Sequence, residues 1–411
     1  MKALVIDRDL PRFGAARLAA GLGASPGTRA GPLRLRDDVE PPGLPGPDWI
    51  RLRPRTSGIC GSDLATVQGR SSRWFEPIVS FPFVPGHEIV ADDPDGRRVV
   101  VEPVLGCVAR GVTPVCPACA EGRIGNCGLL GHGHLAAGLQ TGYCCDTGGG
   151  WSEELVAHRS QLHEVPDELD DHDALMVEPT ACALHGALAA EIGPGDTVAV
   201  LGAGTLGYLA VAAVARWSAP LRLLVSARHP HQRDLVRSLA GDAVTPEVCG
   251  PDALDRAARR ATASQAVGAP GHSGARLSGG VDVTIDCVGS TESITQALAV
   301  TRPGGRVIMV GMPGVETLDL TPLWQREIAV RGAYAYGIET VAGQRIRTFD
   351  LAFELVASHR LGRLVSATYP LERHRDALDH AANAGRRGGT KVAFDLHAPD
   401  HPAGRTLKGR R

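Results

Sequence analysis

The sequence predicts an α/β protein in two parts, an irregular β domain first and a doubly wound parallel-sheet domain behind it, and three observations carry that reading. The chain is 411 residues long, more than one ordinary core fills. Up to about residue 173, short apolar runs such as WIRLRP, RRVVVEPV and SEELVAH are broken by Gly and Pro, the punctuation of a β domain with irregular turns. From DALMVEPTACALHGALAAE onward, helical patterns alternate with the compact strands TVAVLGAG, LRLLVSAR, VDVTIDCVG, GRVIMVG and EIAVRGAY. Such alternation argues for parallel strands with helices on both faces.

Smaller segments follow from composition. GASPGTRAGPLRLRDDVEPPGLPGP is rich in Pro and Gly and reads as surface loop. In PDALDRAARRATASQAVGAPGHSGARLS the first half reads as helix and the second as loop. TFDLAFELVASH reads as a last helix. The polar, basic residues from about 399 onward have nothing to bury and are expected to fray.

Net charge is −2, which offers no basic field for nucleic acid, and no apolar run is long enough to cross a bilayer. The opening MKALVIDRDLPRFG carries Asp7 and Asp9 and lacks the features of a signal peptide, so a cytoplasmic location is expected. In a reducing compartment, clustered cysteines read as metal ligands or catalytic groups rather than disulfides.

The strand VAVLGAG leads into Gly202-Ala-Gly204-Thr205-Leu206-Gly207 and then an apolar helical run. A GxGxxG between strand and helix permits a tight turn, close approach of backbone to a pyrophosphate, and close packing of helix on strand. The helix N-terminus then faces the phosphate charge. At the end of the next strand an NAD-preferring site carries Asp or Glu for the ribose 2′-hydroxyl; here stand Ser226, Ala227 and Arg228. Without a carboxylate to repel a 2′-phosphate, and with a guanidinium to bind it, NADP(H) is favoured over NAD(H). The alternative is a solvated Arg228 and a site indifferent to the phosphate.

Upstream, TSGICGSDL supplies Cys60, Ser62 and Asp63, and VPGHEIV supplies His87 and Glu88. Singly these residues mean little. With Glu178 in VEPTACALHG they make a thiolate, an imidazole and a carboxylate, a three-donor set for a catalytic Zn²⁺ whose fourth position stays open.

With GICGSD, PGHE, EP, GAGTLG and GGRVIMVG in this order, the chain resembles the zinc-dependent medium-chain dehydrogenase/reductase superfamily over nearly its whole length. It looks more like the polyol, sugar and threonine dehydrogenases than the simple alcohol dehydrogenases, because the third ligand position reads Glu178 where the simple enzymes have Cys. The resemblance implies a GroES-like catalytic domain over 1–174, a Rossmann domain over 175–334, and a segment 335–411 returning to the catalytic domain. It implies zinc on Cys60 and His87 with Glu88 or Glu178 completing the set. Asp63 would hold the free ring nitrogen of His87, and Ser62 would take the substrate proton. A small alcohol or ketone as substrate and a homodimer or homotetramer are further implications.

The superfamily often carries a structural zinc on C-x2-C-x2-C-x7-C. Cys116, Cys119 and Cys127 match its last three positions, but Thr113 stands at the first. Cys107 is the replacement candidate, because Gly111 and Pro114 let the intervening loop turn back. The alternatives are a degraded site and a Cys116/Cys119 redox pair. The patch GHGHLAAGLQTGYCCDTGGGW reads as a loop near the active site, and Trp74, Phe75 and Tyr143 are candidate pocket residues. Three functions remain open at this point: oxidation of a secondary alcohol such as a polyol, sugar or aminocyclitol, an NADPH-linked carbonyl reductase, and a catalytically silent nucleotide-binding protein of the same fold.

Overall fold

The computed structural model describes residues 1–268 and 276–397. Strands β1 (Ala3–Ile6) and β2 (Leu33–Arg36) pair antiparallel, Ala3 opposite Arg36. Between them stand helices α1 (Leu10–Ala20) and α2 (Ala24–Ala30), so the segment expected to be surface loop contains a helix and a strand. The alanines of AARLAA favour α1, since Ala has the best helix propensity, whereas α2 (ASPGTRA) forms against its local composition by packing on α1 and on the C-terminal helix His374–Ala382. Asp9 starts α1 by accepting the Arg12 amide at 3.1 Å.

The catalytic domain follows: β3 (Trp49–Gly58), α3 (Gly61–Val67), β4 (Ile89–Asp92), β5 (Arg98–Val101), α4 (Pro117–Ala120), β6 (Leu155–His158), β7 (Leu162–Glu164) and α5 (Asp171–Leu175). The long β3 serves three partners, one of them the C-terminal strand. Trp49 to Leu52 pair with β6, and Arg53 to Ser57 pair with β4. One buried side chain organises the loops beyond β5: the Arg110 guanidinium donates to the carbonyls of Leu105, His132, Leu135, Ala136 and Gly138. A charge this deep is tolerated because carbonyl oxygens meet its donors.

Helix α6 (Val177–Ala189) leads into the second domain, with β8 (Thr197–Leu201), α7 (Thr205–Trp217), β9 (Arg222–Ser226), α8 (Pro230–Ala240), β10 (Glu247–Cys249) and α9 (Leu254–Ala261). A two-residue antiparallel pair, β11 (Ala266–Val267) and β12 (Arg276–Leu277), precedes β13 (Val281–Asp286), α10 (Thr291–Val300), β14 (Thr301–Met309), α11 (Thr321–Gln325) and β15 (Ala329–Gly332). The sheet order β10-β9-β8-β13-β14-β15 is parallel throughout and reverses direction at β8. That is the doubly wound dinucleotide-binding topology, whose ligand crevice opens at the carboxyl ends of the strands around the reversal.

The chain then forms the hairpin β16 (Ile338–Val341) and β17 (Gln344–Arg347), followed by α12 (Thr348–His359). Phe349, Leu351, Ala352, Leu355 and Val356 of α12 share one core with the buried faces of α6 and α7. The chain rejoins the catalytic sheet only afterwards, through β18 (Val365–Tyr369), α13 (His374–Ala382) and β19 (Lys391–Asp395), with Ala393 of β19 opposite Gly58 of β3. Sheet pairing with the catalytic domain thus resumes at residue 365, while the preceding hairpin already touches that domain, the Ile338 amide donating to the Gly122 carbonyl at 3.0 Å and Arg345 to the Glu121 carbonyl at 2.7 Å. The expected frayed tail lies outside the described residues. Among those described, no helix is long and apolar enough to cross a membrane.

Candidate active site and metal centres

Cys60 caps the start of α3, His87 and Glu88 stand just before β4, and Glu178 lies in the first turn of α6. Donor atoms of Cys60, His87 and Glu88 come within 4.8 Å of one another. Asp63 orders two of them at once. Its Oδ2 accepts the Cys60 amide at 2.9 Å, and its Oδ1 faces His87 Nδ1 at 3.3 Å. The contact with Nδ1 leaves Nε2 of His87 for a metal.

Glu88 is buried against Lys391 of β19, an ion pair that brings the chain's C-terminal strand into the site. Lys391 also donates to the Ile59 carbonyl at 3.3 Å. Gly58 leaves the room for this carboxylate, because a Cβ there would lie 1.8 Å from Glu88 Oε2.

Glu178 falls outside the compact donor set. Its Oε1 accepts the Tyr336 hydroxyl at 3.0 Å and the Cys182 thiol at 3.5 Å. Burial, with Glu88 adding to it, pushes the Glu178 pKa up to about 7 despite the opposing pull of His87. Burial also raises the pKa values of Tyr336 and Cys182, which keeps both protonated as donors.

Of the candidate pocket residues, Tyr143 alone reaches this site. Its hydroxyl donates to Asp63 Oδ1 at 3.3 Å and lies 3.3 Å from Thr66 Oγ1. Thr66 in turn contacts Ser71 Oγ at 3.0 Å. Ser62, in the same turn of α3, is half-buried beside the Tyr143 hydroxyl. Trp74 is 81% exposed, and Phe75 packs into the core around β1. In the His/Cys-rich patch, His134 packs edge-on against Trp49 and Cys144 is buried beside it, so most of that segment is built into the fold.

The donor set fits zinc. Donor atoms of Cys60, His87 and Glu88 all lie within 4.8 Å of one another, and His87 and Glu88 are buried. Thiolate, imidazole and carboxylate converging in one buried place are the ligand types that zinc prefers.

At the second cluster, sulfur atoms of Cys107, Cys116, Cys119 and Cys127 all lie within 4.8 Å of one another. Cys107 and Cys127, 20 positions apart, are 3.6 Å apart at sulfur. The Cys116 amide points at Cys107 Sγ, 3.3 Å away. Backbone N–H groups of Cys119 and Gly128 hold the Cys116 thiol down to about 6, which favours a thiolate.

The dinucleotide loop joins β8 to α7. Gly202 sits at φ 90°, a conformation that favours glycine, and a Cβ on Gly207 would lie 1.7 Å from the Gly202 carbonyl oxygen. Gly204 starts α7 with no side-chain cap and open space around its Cα. With Thr205 and Leu206 in the first turn, the amide groups are free to meet a pyrophosphate. Ala227 is buried just past β9, and Arg228 is exposed beside it.

Several participants escaped sequence reasoning: Lys391, Tyr336, Thr66 and the full role of Asp63. Only Lys391 left a trace, as one of three lysines in a chain that otherwise uses arginine.

Residues 46–167 match the alcohol dehydrogenase GroES-like domain, and residues 205–358 match the zinc-binding dehydrogenase family. The chain is 27% identical over 372 residues to a sorbitol dehydrogenase of Arabidopsis thaliana, covering 85% of this chain and 89% of that one. It is 26% identical to an L-idonate 5-dehydrogenase of Vitis vinifera, covering 87% and 91%. A solved zinc-binding dehydrogenase structure from Sinorhizobium meliloti 1021, bound to NADP, superposes with a TM-score of 0.63 at 25% identity, covering 88% and 95%. Galactitol-1-phosphate dehydrogenase from Escherichia coli, at 18% identity, shares the fold with a TM-score of 0.65 over 96% and 100%. Both halves of the chain thus match in order, around a buried donor set and a glycine-rich dinucleotide loop, and the protein belongs to the zinc-dependent medium-chain dehydrogenases, enzymes that couple alcohol and carbonyl chemistry to NAD(P).

Proposed function

We propose that this enzyme interconverts a secondary alcohol of a polyol or sugar with its ketone, using NADP(H) in preference to NAD(H). The observation that carries the reading is the convergence of Cys60, His87 and Glu88 within 4.8 Å. The polyol or sugar substrate is supported by the names of the relatives, and NADP(H) by Arg228 at the end of β9. When bound, zinc supplies Lewis-acid charge at the substrate oxygen and the nicotinamide exchanges hydride with the carbinol carbon.

The chain's own residues supply position and a route for the proton. Cys60 and His87 would hold the metal, with Glu88 or Glu178 completing the set directly or through water. Asp63 fixes both the Cys60 backbone and the His87 ring. Lys391 neutralises Glu88 and limits the negative charge of a site that must also hold a thiolate. Ser62 Oγ takes the substrate proton as its own proton leaves. The hydroxyls of Tyr143, Thr66 and Ser71 would continue the route toward the surface, each oxygen accepting one proton and releasing another once Tyr143 turns from Asp63 and Thr66 from the Ser62 carbonyl, so none needs to ionise.

The test is activity across alcohol and ketone panels with both cofactors, with zinc content measured in parallel. Loss of NADPH-linked turnover on chelation and in Cys60→Ser is expected; a zinc-free protein that turns over no panel member would support a silent nucleotide-binding protein. Arg228→Asp should weaken NADPH relative to NADH, and an unchanged preference would refute the NADP(H) assignment. Our reading includes a cytoplasmic location, checked by fractionation, and a homo-oligomer, supported by the exposed edge strand β15 and checked by light scattering.

A further inference from the structure

We infer that a cleft between the two domains clamps the 2′-phosphate of NADP(H) between Arg228 of the dinucleotide domain and Arg386 of the C-terminal segment. The inference rests on the NADP(H) reading and adds to it a second cation from the opposite domain.

The cleft has a volume of about 320 Å³ and is lined by Gly23, Arg228, His229, Asn383, Gly385 and Arg386, among others, with no carboxylate. That volume lies at the lower end of the range for ligand clefts, enough for a phosphoribosyl end but not a whole dinucleotide. Three parts of the chain meet here. Gly23 lies in the turn between α1 and α2, Arg228 and His229 lie between β9 and α8, and 383–386 follow α13.

The charge pattern points to an anion. Arg387 is occupied by Asp379, whose other carboxylate oxygen takes the Ser25 hydroxyl. Arg386 and Arg228 have no hydrogen-bonded or ion-paired partner among the described residues, although the Glu292 carboxylate lies within electrostatic reach of Arg228. His229, which lines the cleft with the two arginines, stacks on His231 behind it with ring centroids 5.6 Å apart. Burial, then His231, Arg228 and Arg386, lower the His229 pKa, so the positive field is felt inside the cleft. A dianionic phosphate would relieve that crowding.

Geometry places the anion at the cofactor. Arg228 follows the second strand of the dinucleotide fold, where the adenosine ribose is recognised. The eleven-residue α8 begins two positions later and directs the positive end of its dipole the same way. On the other wall, the backbone of Gly385 packs against the His229 ring, since a Cβ there would sit 3.2 Å from Cδ2. That contact holds Arg386 beside the ribose-recognition corner. A 2′-phosphate bound between the arginines would tie the domains together, whereas NADH would leave both cations unpaired.

The test is equilibrium titration of the zinc-loaded, full-length enzyme with NADPH and NADH, followed by nicotinamide fluorescence, with 2′,5′-ADP and 5′-AMP as competing probes. Wild type, Arg228→Ala, Arg386→Ala and Arg386→Lys are compared. Arg386→Ala is expected to weaken NADPH and 2′,5′-ADP about 10-fold while NADH and 5′-AMP stay unchanged, and Arg386→Lys to recover part of the loss. Unchanged NADH binding also shows that the variant is folded. If Arg228→Ala weakens NADPH and Arg386→Ala does not, the clamp is refuted and the Arg228 reading stands. If neither variant changes NADPH binding, both fall. If Arg386→Ala weakens both cofactors equally, the clamp is refuted, because the effect is then not that of the phosphate.

Discussion

Replacing Cys107 by Ser removes one of four sulfurs gathered within 4.8 Å and keeps the size of the side chain. A structural zinc is nearly always closed by four ligands, and a serine hydroxyl is a poor substitute for a thiolate. The metal should therefore leave the lobe. The magnitude follows from the loop it closes. Cys107 and Cys127 are 20 positions apart, so a link between them encloses a 21-residue loop. A cross-link of that length restricts the unfolded chain by about 3 kcal/mol. For a domain of this size that corresponds to a fall in Tm of about 6 to 12 °C.

The assay pairs metal analysis with thermal unfolding, using Cys144→Ser as control because Cys144 is equally buried but outside the sulfur cluster. Cys107→Ser should lose one zinc per chain and the stated stability while the Cys60 centre keeps its metal and its turnover at low temperature. Full zinc content with an unchanged Tm would show that Cys107 is not a ligand. Loss of stability without loss of zinc would show that the thiol acts only through packing.

Other perturbations separate roles that the structure places side by side. Glu88→Gln removes the partner of a buried lysine and should lower stability and zinc content together; Glu178→Gln should reduce turnover at least 10-fold with little change in Tm, measured by kinetics and calorimetry on the same samples. Tyr143→Phe deletes one hydroxyl of the proton route and should lower kcat more than it raises KM, with a changed solvent isotope effect as readout. Arg110→Met leaves the Leu105, His132, Leu135, Ala136 and Gly138 carbonyls without their donor and should cost about 4 kcal/mol in denaturant unfolding. Burial would raise the Asp171 pKa, but Arg55, Arg98 and His397 hold it below its ordinary 3.8. A depressed carboxyl pKa stabilises above the unfolded value and loses that contribution as pH falls through the folded one; Asp171→Asn should therefore cost about 2 kcal/mol at pH 7, a cost that shrinks as pH falls below 3.8, read from urea midpoints against pH.

What could be read from the sequence was local. GAGTLG announced its strand, turn and helix because a phosphate-binding turn needs glycines at fixed spacing, and the parallel strands stood out as apolar runs. Cys60, His87 and Glu88 were identifiable because their chemistry is rare and they sit in short motifs. The Lys391 contact was not, since 303 positions separate it from Glu88 and a lone lysine in GGTKVAFDL has no spacing to reveal its partner. Tyr336 escaped for the same reason, lying 158 positions from the carboxylate it serves. The α1–α2 insertion was hidden by its composition: Gly, Pro and Ser argue for loop, but packing of α2 on α13 and of α1 on α2 overrides that local bias.

These long-range contacts also determine where the chemistry sits. Cys60, His87 and Glu88 belong to the catalytic domain, yet Glu178 is on the helix that opens the second domain, and Tyr336, which engages it, follows that domain's last sheet strand. Lys391 then returns in the final strand to neutralise Glu88, four residues after Arg387 and five after Arg386. The turn that carries Arg386 to the cofactor cleft is therefore anchored, through a few residues of the same strand entry, to the carboxylate beside the metal. A shift of one domain relative to the other must move the Tyr336–Glu178 contact and the Arg228–Arg386 gap together. If the 2′-phosphate binds between the arginines as proposed, its site would be joined to the metal site through five residues of the C-terminal segment, Arg386 to Lys391.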